Sequence, residues 1–319
     1  MACECDMSNS SRHTGERRTL IVGLVCLDII NVLDNYPLED TDTRVQDQLW
    51  ERGGNAANTS VVLAQLGVKT EFIGTLADST LSRLMVEDFH KYGVLIDHCI
   101  YHNNCKPPMS CIIVNSSSGT RTILHSNRSL PEVMYEDFEL LNLNNYTWIH
   151  FEGRNVEEVL KMSERVVMHN GQFIESHDRI QISLELEKPG LKPSFCKLLP
   201  KADVVFLSKD VAKESGFQNG EECVLKFSKD VKPGAVVVCA WGELGAWAVG
   251  PNGEVVHSPA FPPAKIEDTV GAGDTFNAGV IYALSRGSSI LEAIMQGCKI
   301  AGDKIGHQGF KIDAGTVTT

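Results

Sequence analysis

The segment Asp268–Phe276, "DTVGAGDTF", combines two glycines and two aspartates just before an apolar helical pattern. Glycine-rich turns that open helices bind phosphate, because their main-chain N–H groups and the helix dipole favour anions. The amides of Gly271, Ala272 and Gly273 could therefore hold a developing anion. A carboxylate at Asp274 would repel that anion unless it had a chemical task of its own.

Such a task is general base catalysis. A base that deprotonates an attacking hydroxyl must lie beside the phosphate that the hydroxyl attacks. With an ordinary pKa of ~3.9, Asp274 would be ionised at pH 7. The alternative is that Asp274 only caps the helix predicted at Asp274–Leu284. The turn lacks the Gly-Lys-Ser/Thr of a Walker loop and the third glycine of a dinucleotide fingerprint. The segment therefore predicts phosphoryl transfer to an alcohol.

A second carboxylate, Asp28, lies near the end of the apolar run Thr19–Ile30, which predicts one strand buried on both faces of a parallel sheet. Ligands of open α/β sheets collect outside the carboxyl ends of the strands. Asp28 could accept hydrogen bonds from two vicinal hydroxyls there. A capped turn or an ion pair are the alternatives for Asp28.

The stretch "RGGNAAN" begins the next predicted helix. Gly53 and Gly54 let the main chain approach a ligand closely. Asn55 and Asn58 are three residues apart, so their amides share one helix face. Amides both donate and accept hydrogen bonds, which suits sugar hydroxyls. A simple N-cap is the alternative for Asn55.

Around these residues, apolar runs alternate with amphipathic helical patterns, which predicts a doubly wound α/β fold: a mostly parallel sheet flanked by helices. The segment Met109–Leu124 interrupts this alternation with a β-hairpin signal. We predict a tail at 1–18 and a single domain at 19–319, whose small β-sheet lid is formed by segments of about 29–50 and 109–127. Arg121 on the hairpin is a phosphate clamp if the lid closes over the site, and a solvated surface side chain otherwise.

Composition excludes several classes of function. The chain has 319 residues and a formal net charge of −12, which argues against nucleic-acid and membrane-surface partners. Its ten cysteines without regular spacing indicate reduced thiols and a cytoplasmic protein. Cys3 and Cys5 in the tail make a poor metal site. A second candidate metal site is formed by His98, Cys99, His102 and Cys105. These residue types suit zinc, but their spacing matches no common zinc-finger pattern, so we favour an ordinary strand and loop.

These motifs match a known family. "DTVGAGDTFNAGV" resembles the C-terminal signature of the ribokinase-like (PfkB) sugar kinases, and "GGNAAN" resembles their N-terminal sugar-binding motif. The similarity runs from about Thr19 to Phe310. The stretches "WERGGNAAN", "SGTRTIL", "WIHFEGRN", "FLSKDVAK" and "VVVCAWGELGA" are similar to the branch that phosphorylates D-fructose on its C1 hydroxyl. The resemblance therefore implies a fructose 1-phosphate product.

The resemblance also implies roles for individual residues. Asp274 would deprotonate the C1 hydroxyl, and the amides of Gly271, Ala272 and Gly273 would form the anion hole beside ATP. The ketose would be bound by Asp28, Gly54, Asn55 and Asn58. The nucleotide would be bound by Arg121 and Cys298, the latter near the adenine, and by the segment Trp241, Gly242, Glu243, Leu244 and Gly245.

For cofactors and partners, the resemblance implies ATP with Mg²⁺, and K⁺ as an activator bound by a loop that includes Asp268 and Thr269. It implies a homodimer formed through the β-lids, with Asp40 reaching the partner subunit's sugar. The Asn-x-x-Glu motif of many family members is replaced by "LSKDVAKE", so we assign no Mg²⁺ ligands. In that stretch Lys209 either supplies charge to the phosphates or is a surface lysine. Two alternative functions stay open: a kinase for ribose, adenosine or another sugar, and a catalytically inactive sugar-binding homologue.

Overall fold

The computed structural model describes residues 17–175, 178–187 and 195–312. Most of the predicted tail, with Cys3 and Cys5, lies outside the described residues. Within those ranges, no helix combines the length and the apolar character that a membrane crossing needs.

The strands of the described residues fall into three sheets. They are β1 (Arg18–Val22), β2 (Cys26–Leu33), β3 (Asp47–Gly53), β4 (Thr70–Ile73), β5 (Thr75–Ala77), β6 (Ile100–His102), β7 (Met109–Asn115), β8 (Thr120–Ser126), β9 (Tyr146–Glu152), β10 (Gln181–Leu186), β11 (Val204–Leu207), β12 (Val236–Ala240), β13 (Ala246–Val249) and β14 (Val255–Ser258).

The helices of the same ranges separate most of these strands. They are α1 (Asn55–Gln65), α2 (Thr80–Lys91), α3 (Tyr135–Phe138), α4 (Val156–Asn170), α5 (Lys209–Glu214), α6 (Gly220–Phe227), α7 (Ala272–Ser285) and α8 (Ile290–Lys304). The predicted helix at Asp274–Leu284 is α7, which begins two residues earlier and ends one later.

The main sheet has the strand order β14-β13-β12-β11-β10-β9-β1-β4. The pairs from β4 to β12 are parallel, and the last two pairs are antiparallel. One apolar core packs α1, α2, α7 and α8 on one side, and a second packs α4, α5 and α6 on the other. The predicted doubly wound, mostly parallel fold is confirmed. Its parallel strands direct their carboxyl ends to one edge, where a site can form.

A second, four-stranded sheet has the order β3-β2-β7-β8, and we call it the lid. The predicted hairpin is β7 and β8. The lid packs on the glycine-rich turn, since Ile30 and Ile112 of the lid form a buried cluster with Val270. The lid is thereby placed over the N-terminus of α7.

The prediction of one continuous strand at Thr19–Ile30 is wrong. The chain leaves the main sheet after β1 and enters the lid as β2, because Glu152 of β9 binds the intervening backbone. Its Oε2 accepts a hydrogen bond from the Leu24 N–H at 2.8 Å, and a Cβ at Gly23 would lie 2.6 Å from the same oxygen. Asp28 consequently lies within a lid strand and not at the end of a core strand.

Candidate active site

Asp274 lies in the first turn of α7. The N-cap residue is Gly271, at φ 71°, and no side chain caps the helix, so the capping interpretation of Asp274 is wrong. The carboxylate is buried, and its Oδ2 accepts a hydrogen bond from Asn58 Nδ2 at 2.7 Å. A Cβ added at Gly273 would meet only open space, so the helix N-terminus has room for a ligand.

Burial and neighbouring carboxylates raise the pKa of Asp274 to about 8. Loss of water is the main cause, and the charges of Glu187 and Glu152 act in the same direction. The Asn58 hydrogen bond and the charge of Arg52 oppose the rise. The expectation of an ordinary carboxylate, fully ionised at pH 7, is therefore wrong. A base that titrates near neutral pH can both take up and release a proton during turnover.

Asp28 faces the site from β2 and is 6 % exposed. Its Oδ1 accepts a hydrogen bond from the Cys26 thiol at 3.3 Å, and Ser110 of β7 also hydrogen-bonds the carboxylate. Burial raises the pKa of Asp28, while the hydrogen bonds and the charge of Arg52 counteract the rise. Gly53 is required beside it, because a Cβ there would lie 2.1 Å from Asp28 Oδ2.

The two asparagines of α1 point to different acidic groups. The N-cap is Gly54, at φ 97°, so Asn55 is not the cap. Asn55 Nδ2 donates to Glu187 Oε2 at 2.5 Å and to Glu185 Oε1 at 3.4 Å. Asn58 instead bonds Asp274, as described above. The amides thus occupy a band between the end of β10 and the start of α7.

The acidic side chains around this band were missed by the sequence analysis. Glu185 Oε1 also accepts a hydrogen bond from Asn277 Nδ2 of α7 at 2.8 Å. The alternating acids of "SLELE" at a strand end were the available signal. The acids line a small cleft of about 10 Å³ whose walls are Asn55, Glu152, Gly153, Arg154, Glu185 and Glu187. Among the described residues, no group of three or more His, Cys, Asp or Glu side chains is arranged to hold a metal ion, so these acids are not assigned as Mg²⁺ ligands.

The lid supplies one cation to the turn before α7. Arg121 of β8 donates from Nη1 to Thr269 Oγ1 at 2.9 Å, although its side chain is exposed. The arginine therefore spans the gap between the lid and the glycine-rich turn. The role of Arg121 as a phosphate clamp stays a prediction.

Two of the predicted nucleotide residues, Gly245 and Cys298, lie beside Ser258. A Cβ at Gly245, at φ 85°, would lie 2.0 Å from Ser258 O, and the Cys298 thiol hydrogen-bonds Ser258. Burial raises the pKa of Cys298 to about 11. The Trp241 side chain packs in the core, edge-on to Trp247, and its main-chain N–H and C=O groups are hydrogen-bonded to Gly245 O and the Leu244 N–H within the turn.

The turn Gly242–Leu244 lies at the surface between Trp241 and Gly245. Its exposed Glu243 forms an ion pair with Lys209 Nζ at 2.8 Å. Lys209 therefore has a carboxylate partner at this surface.

Asp268 does not fit the predicted K⁺ loop. Lys304 Nζ is fully buried and lies 2.7 Å from Asp268 Oδ2 and 2.9 Å from Asp268 O. The remaining carboxylate oxygen accepts a hydrogen bond from the Val270 N–H at 2.8 Å. The ammonium group thus already supplies the positive charge at this carboxylate. A K⁺ ion bound to the same oxygens would face a like charge.

The other predicted positions lie away from the site. His98 is bonded to Glu71, the Cys99 thiol donates to Phe72 O at 3.5 Å, and β6 covers Ile100–His102, as the strand-and-loop interpretation predicts. Asp40 is exposed in the turn between β2 and β3, with φ 60°. Within the described ranges no hydrogen bond or ion pair joins Asp40 to the predicted site residues.

Comparison with solved structures supports the fold. Arabidopsis thaliana ribokinase, solved with ribose and ATP, superimposes with a TM-score of 0.77 at 20% identity, covering 95% of this chain and 98% of that one. The adenosine kinase of Sinorhizobium meliloti gives the same TM-score at 20% identity, with 95% and 98% coverage.

Comparison of sequences identifies the family. Mouse ketohexokinase is 47% identical over 295 residues, which cover 92% of this chain and 98% of that protein. The 5-dehydro-2-deoxygluconokinase of Bacillus subtilis is 24% identical, with 86% of each chain covered. The family model for pfkB family carbohydrate kinases matches residues 17–314. The chain therefore belongs to the pfkB family of carbohydrate kinases.

Proposed function

We propose that this protein transfers the γ-phosphoryl group of ATP to the C1 hydroxyl of D-fructose and releases fructose 1-phosphate. The observation that carries the proposal is the buried contact between Asn58 of the sugar motif and Asp274 at the N-terminus of α7. It joins a hydroxyl-binding group, a base and an anion-binding helix end at one point. The 47% identity to mouse ketohexokinase supports fructose as the sugar.

In this mechanism the sugar is held by the carboxylate of Asp28, the main chain at Gly54 and the amides of Asn55 and Asn58. Asp274 accepts the proton of the attacking hydroxyl, which makes the oxygen a better nucleophile. The amides of Gly271–Gly273 and the α7 dipole stabilise the charge that develops on the phosphoryl group. Mg²⁺ bound with ATP would neutralise the phosphate oxygens.

The proposed nucleotide site is formed by Arg121, the turn from Trp241 to Gly245, and Cys298. We propose that Arg121 binds the nucleotide phosphates from the lid, where its guanidinium can form a bidentate pair with phosphate oxygens. The turn from Trp241 to Gly245 and the nearby Cys298 would line the base pocket, with Gly242, Glu243 and Leu244 at the surface.

We further propose a homodimer formed through the lid, with Asp40 contacting the partner subunit's sugar. One face of the lid exposes large apolar side chains: Trp50 and Leu124 share this face and are each about half exposed. Exposed apolar patches of this kind mark interaction surfaces. Sedimentation equilibrium is expected to give twice the monomer mass for the wild type. The double variant Trp50→Glu, Leu124→Glu is expected to give the monomer mass. A wild-type monomer would contradict the dimer.

A cytoplasmic location is supported by the free thiols of all eight described cysteines. Activation by K⁺ stays a prediction. Since the Asp268 carboxylate holds Lys304, K⁺ would have to be bound by main-chain oxygens or by Thr269. Equal turnover in potassium and sodium salts would remove this prediction.

The substrate is tested by measuring ATP consumption with D-fructose, D-ribose, adenosine and fructose 6-phosphate at equal concentrations. We expect D-fructose to give the highest kcat/KM, because the 47% sequence identity to mouse ketohexokinase supports it as the substrate, whereas the fold is shared with kinases of other substrates. Preferred turnover of ribose or adenosine would show a kinase of different specificity in the same family. Binding of fructose without ATP consumption would show an inactive sugar-binding homologue.

A further inference from the structure

Arg52 is a buried cation that the proposed mechanism leaves without a role. It is the penultimate residue of β3, immediately before Gly53 and Gly54, and is 5 % exposed. The guanidinium carbon lies 5.1 Å from the ring centroid of Phe310 and 5.6 Å from that of Phe89. Two aromatic rings therefore limit its orientation and exclude water from it.

Between the rings of Phe89 and Phe310, the Arg52 guanidinium donates hydrogen bonds to two side chains. Its Nε donates to Asp88 Oδ2 of α2 at 2.7 Å, and its Nη1 donates to Asn58 Oδ1 at 2.5 Å. Because a guanidinium has donors only, Asn58 must turn its carbonyl oxygen to Arg52. The Asn58 NH₂ group is then the one that faces Asp274, at 2.7 Å. The hydrogen bonds therefore run outward from Arg52, to Asp88 on one side and through Asn58 to Asp274 on the other.

Charges around Asp274 give the arginine a second effect. Glu152, at the end of β9, and Glu185 and Glu187, at the end of β10, disfavour a further negative charge there. Arg52, from β3, and Lys304, from α8, are the cations that act on it. Arg52 also lowers the pKa of Asp28, so one buried charge serves both carboxylates of the proposed site.

We propose that Arg52 is a positioning residue for phosphoryl transfer: it fixes the Asn58 amide so that this amide holds the Asp274 carboxylate, and it offsets the surrounding negative charge. The proposal rests on the proposed role of Asp274 as the base. It adds a residue that precedes the sugar motif and acts through another side chain.

The test is the pH profile of kcat/KM for D-fructose in Arg52→Gln, with Arg18→Gln as the control. Arg18 pairs with Glu71 at 2.9 Å at the amino end of β1, away from the site. Loss of a nearby opposite charge typically raises a carboxylate pKa by about 1 unit or more. We therefore expect the apparent pKa on the acid side of the kcat/KM profile to be roughly 1 unit higher in Arg52→Gln than in the wild type. At about pH 7 this gives a roughly tenfold loss of kcat/KM, because the ionised fraction of the base falls in proportion.

The expected signature is recovery of activity at high pH, where Asp274 ionises without help. A purely structural role would lower kcat/KM at every pH. A pH-independent loss, or a wild-type profile in a folded Arg52→Gln protein, would therefore overturn the proposal. The profile of Arg18→Gln is expected to match that of the wild type.

If Arg52→Gln does not fold, Arg52→Lys decides. Lysine keeps the charge but cannot bond Asn58 and Asp88 with one planar fork. An intermediate kcat/KM with partial recovery at high pH supports the proposal, and wild-type kinetics contradict it. Asp274→Asn distinguishes failure of the proposed base from failure of the proposed role of Arg52. If Asp274→Asn keeps wild-type turnover, the assignment of Asp274 as the base is wrong. If Asp274→Asn is inactive and the arginine variants have wild-type kinetics, only the role of Arg52 is wrong.

Discussion

Asp274→Asn is expected to lose ~10²- to 10⁴-fold in kcat, the typical cost of removing a general base, while D-fructose still binds. The amide has nearly the same shape, so the sugar site keeps its other groups, but it cannot accept the hydroxyl proton. Steady-state kinetics and fructose titration by calorimetry measure the two effects. Asp230→Asn, a change at an exposed helix-end carboxylate paired with Lys226, is the control. Near-normal kcat in Asp274→Asn would remove Asp274 as the base.

The same variant carries a stability prediction. The folded-state pKa of Asp274 is about 8, above its value of ~3.9 in an unfolded chain. As pH rises between these values, the unfolded state releases this proton first, so the wild type loses stability that the asparagine variant keeps. Asp274→Asn should therefore unfold at a higher temperature than the wild type, and the difference should be larger at about pH 8 than at about pH 4. An equal difference at both pH values would contradict the raised pKa.

Gly53→Ala is expected to lower kcat/KM for D-fructose by about 10²-fold, the typical cost of misplacing a reacting or binding group by about 1 Å. The new Cβ would lie 2.1 Å from Asp28 Oδ2 and 2.2 Å from its Cγ, so the carboxylate must move away. Kinetics with fructose and with ATP should show the loss mainly in the KM for the sugar, because the nucleotide residues are elsewhere.

Gly171→Ala is the matched control for this change. Gly171 ends α4 in a helical conformation, and its nearest atom to a new Cβ would be Met168 O at 3.3 Å. Both variants should remain folded, as circular dichroism can verify. An unchanged fructose KM in Gly53→Ala would contradict the placement of Asp28 in the sugar site.

The parts of the fold that were predictable depend on local patterns. The helices α1, α2, α4 and α7 begin or end at glycines or polar caps and carry apolar faces, and the hairpin of β7 and β8 has a Ser/Gly turn between two strand-like runs. Each of these signals lies within a short segment of sequence, so the helices and the hairpin can be predicted without knowledge of distant contacts.

The parts that failed depend on residues far apart in the chain. The run from Thr19 to Ile30 is divided by the carboxylate of Glu152, which lies on a distant strand of the main sheet. The strand β3 is largely exposed, so it has no strong apolar alternation to indicate it. The pKa of Asp274 depends on burial and on charges from β9 and β10, and Arg52 became notable only through Asn58. Arg52 and Asn58 both belong to the stretch "RGGNAAN", but its residue types do not indicate that these two side chains bond; the contacts of Glu152 and Asp274 join residues far apart in the chain.

Transfer of a phosphoryl group to one hydroxyl of one sugar is tested most directly by phosphorus–proton correlation NMR of the product formed from D-fructose and ATP. We expect a single product whose phosphorus couples to the C1 protons, and none from Asp274→Asn on the same timescale. Phosphate on the C6 hydroxyl, or the absence of any phosphorylated fructose with active wild-type protein, would contradict the proposed reaction.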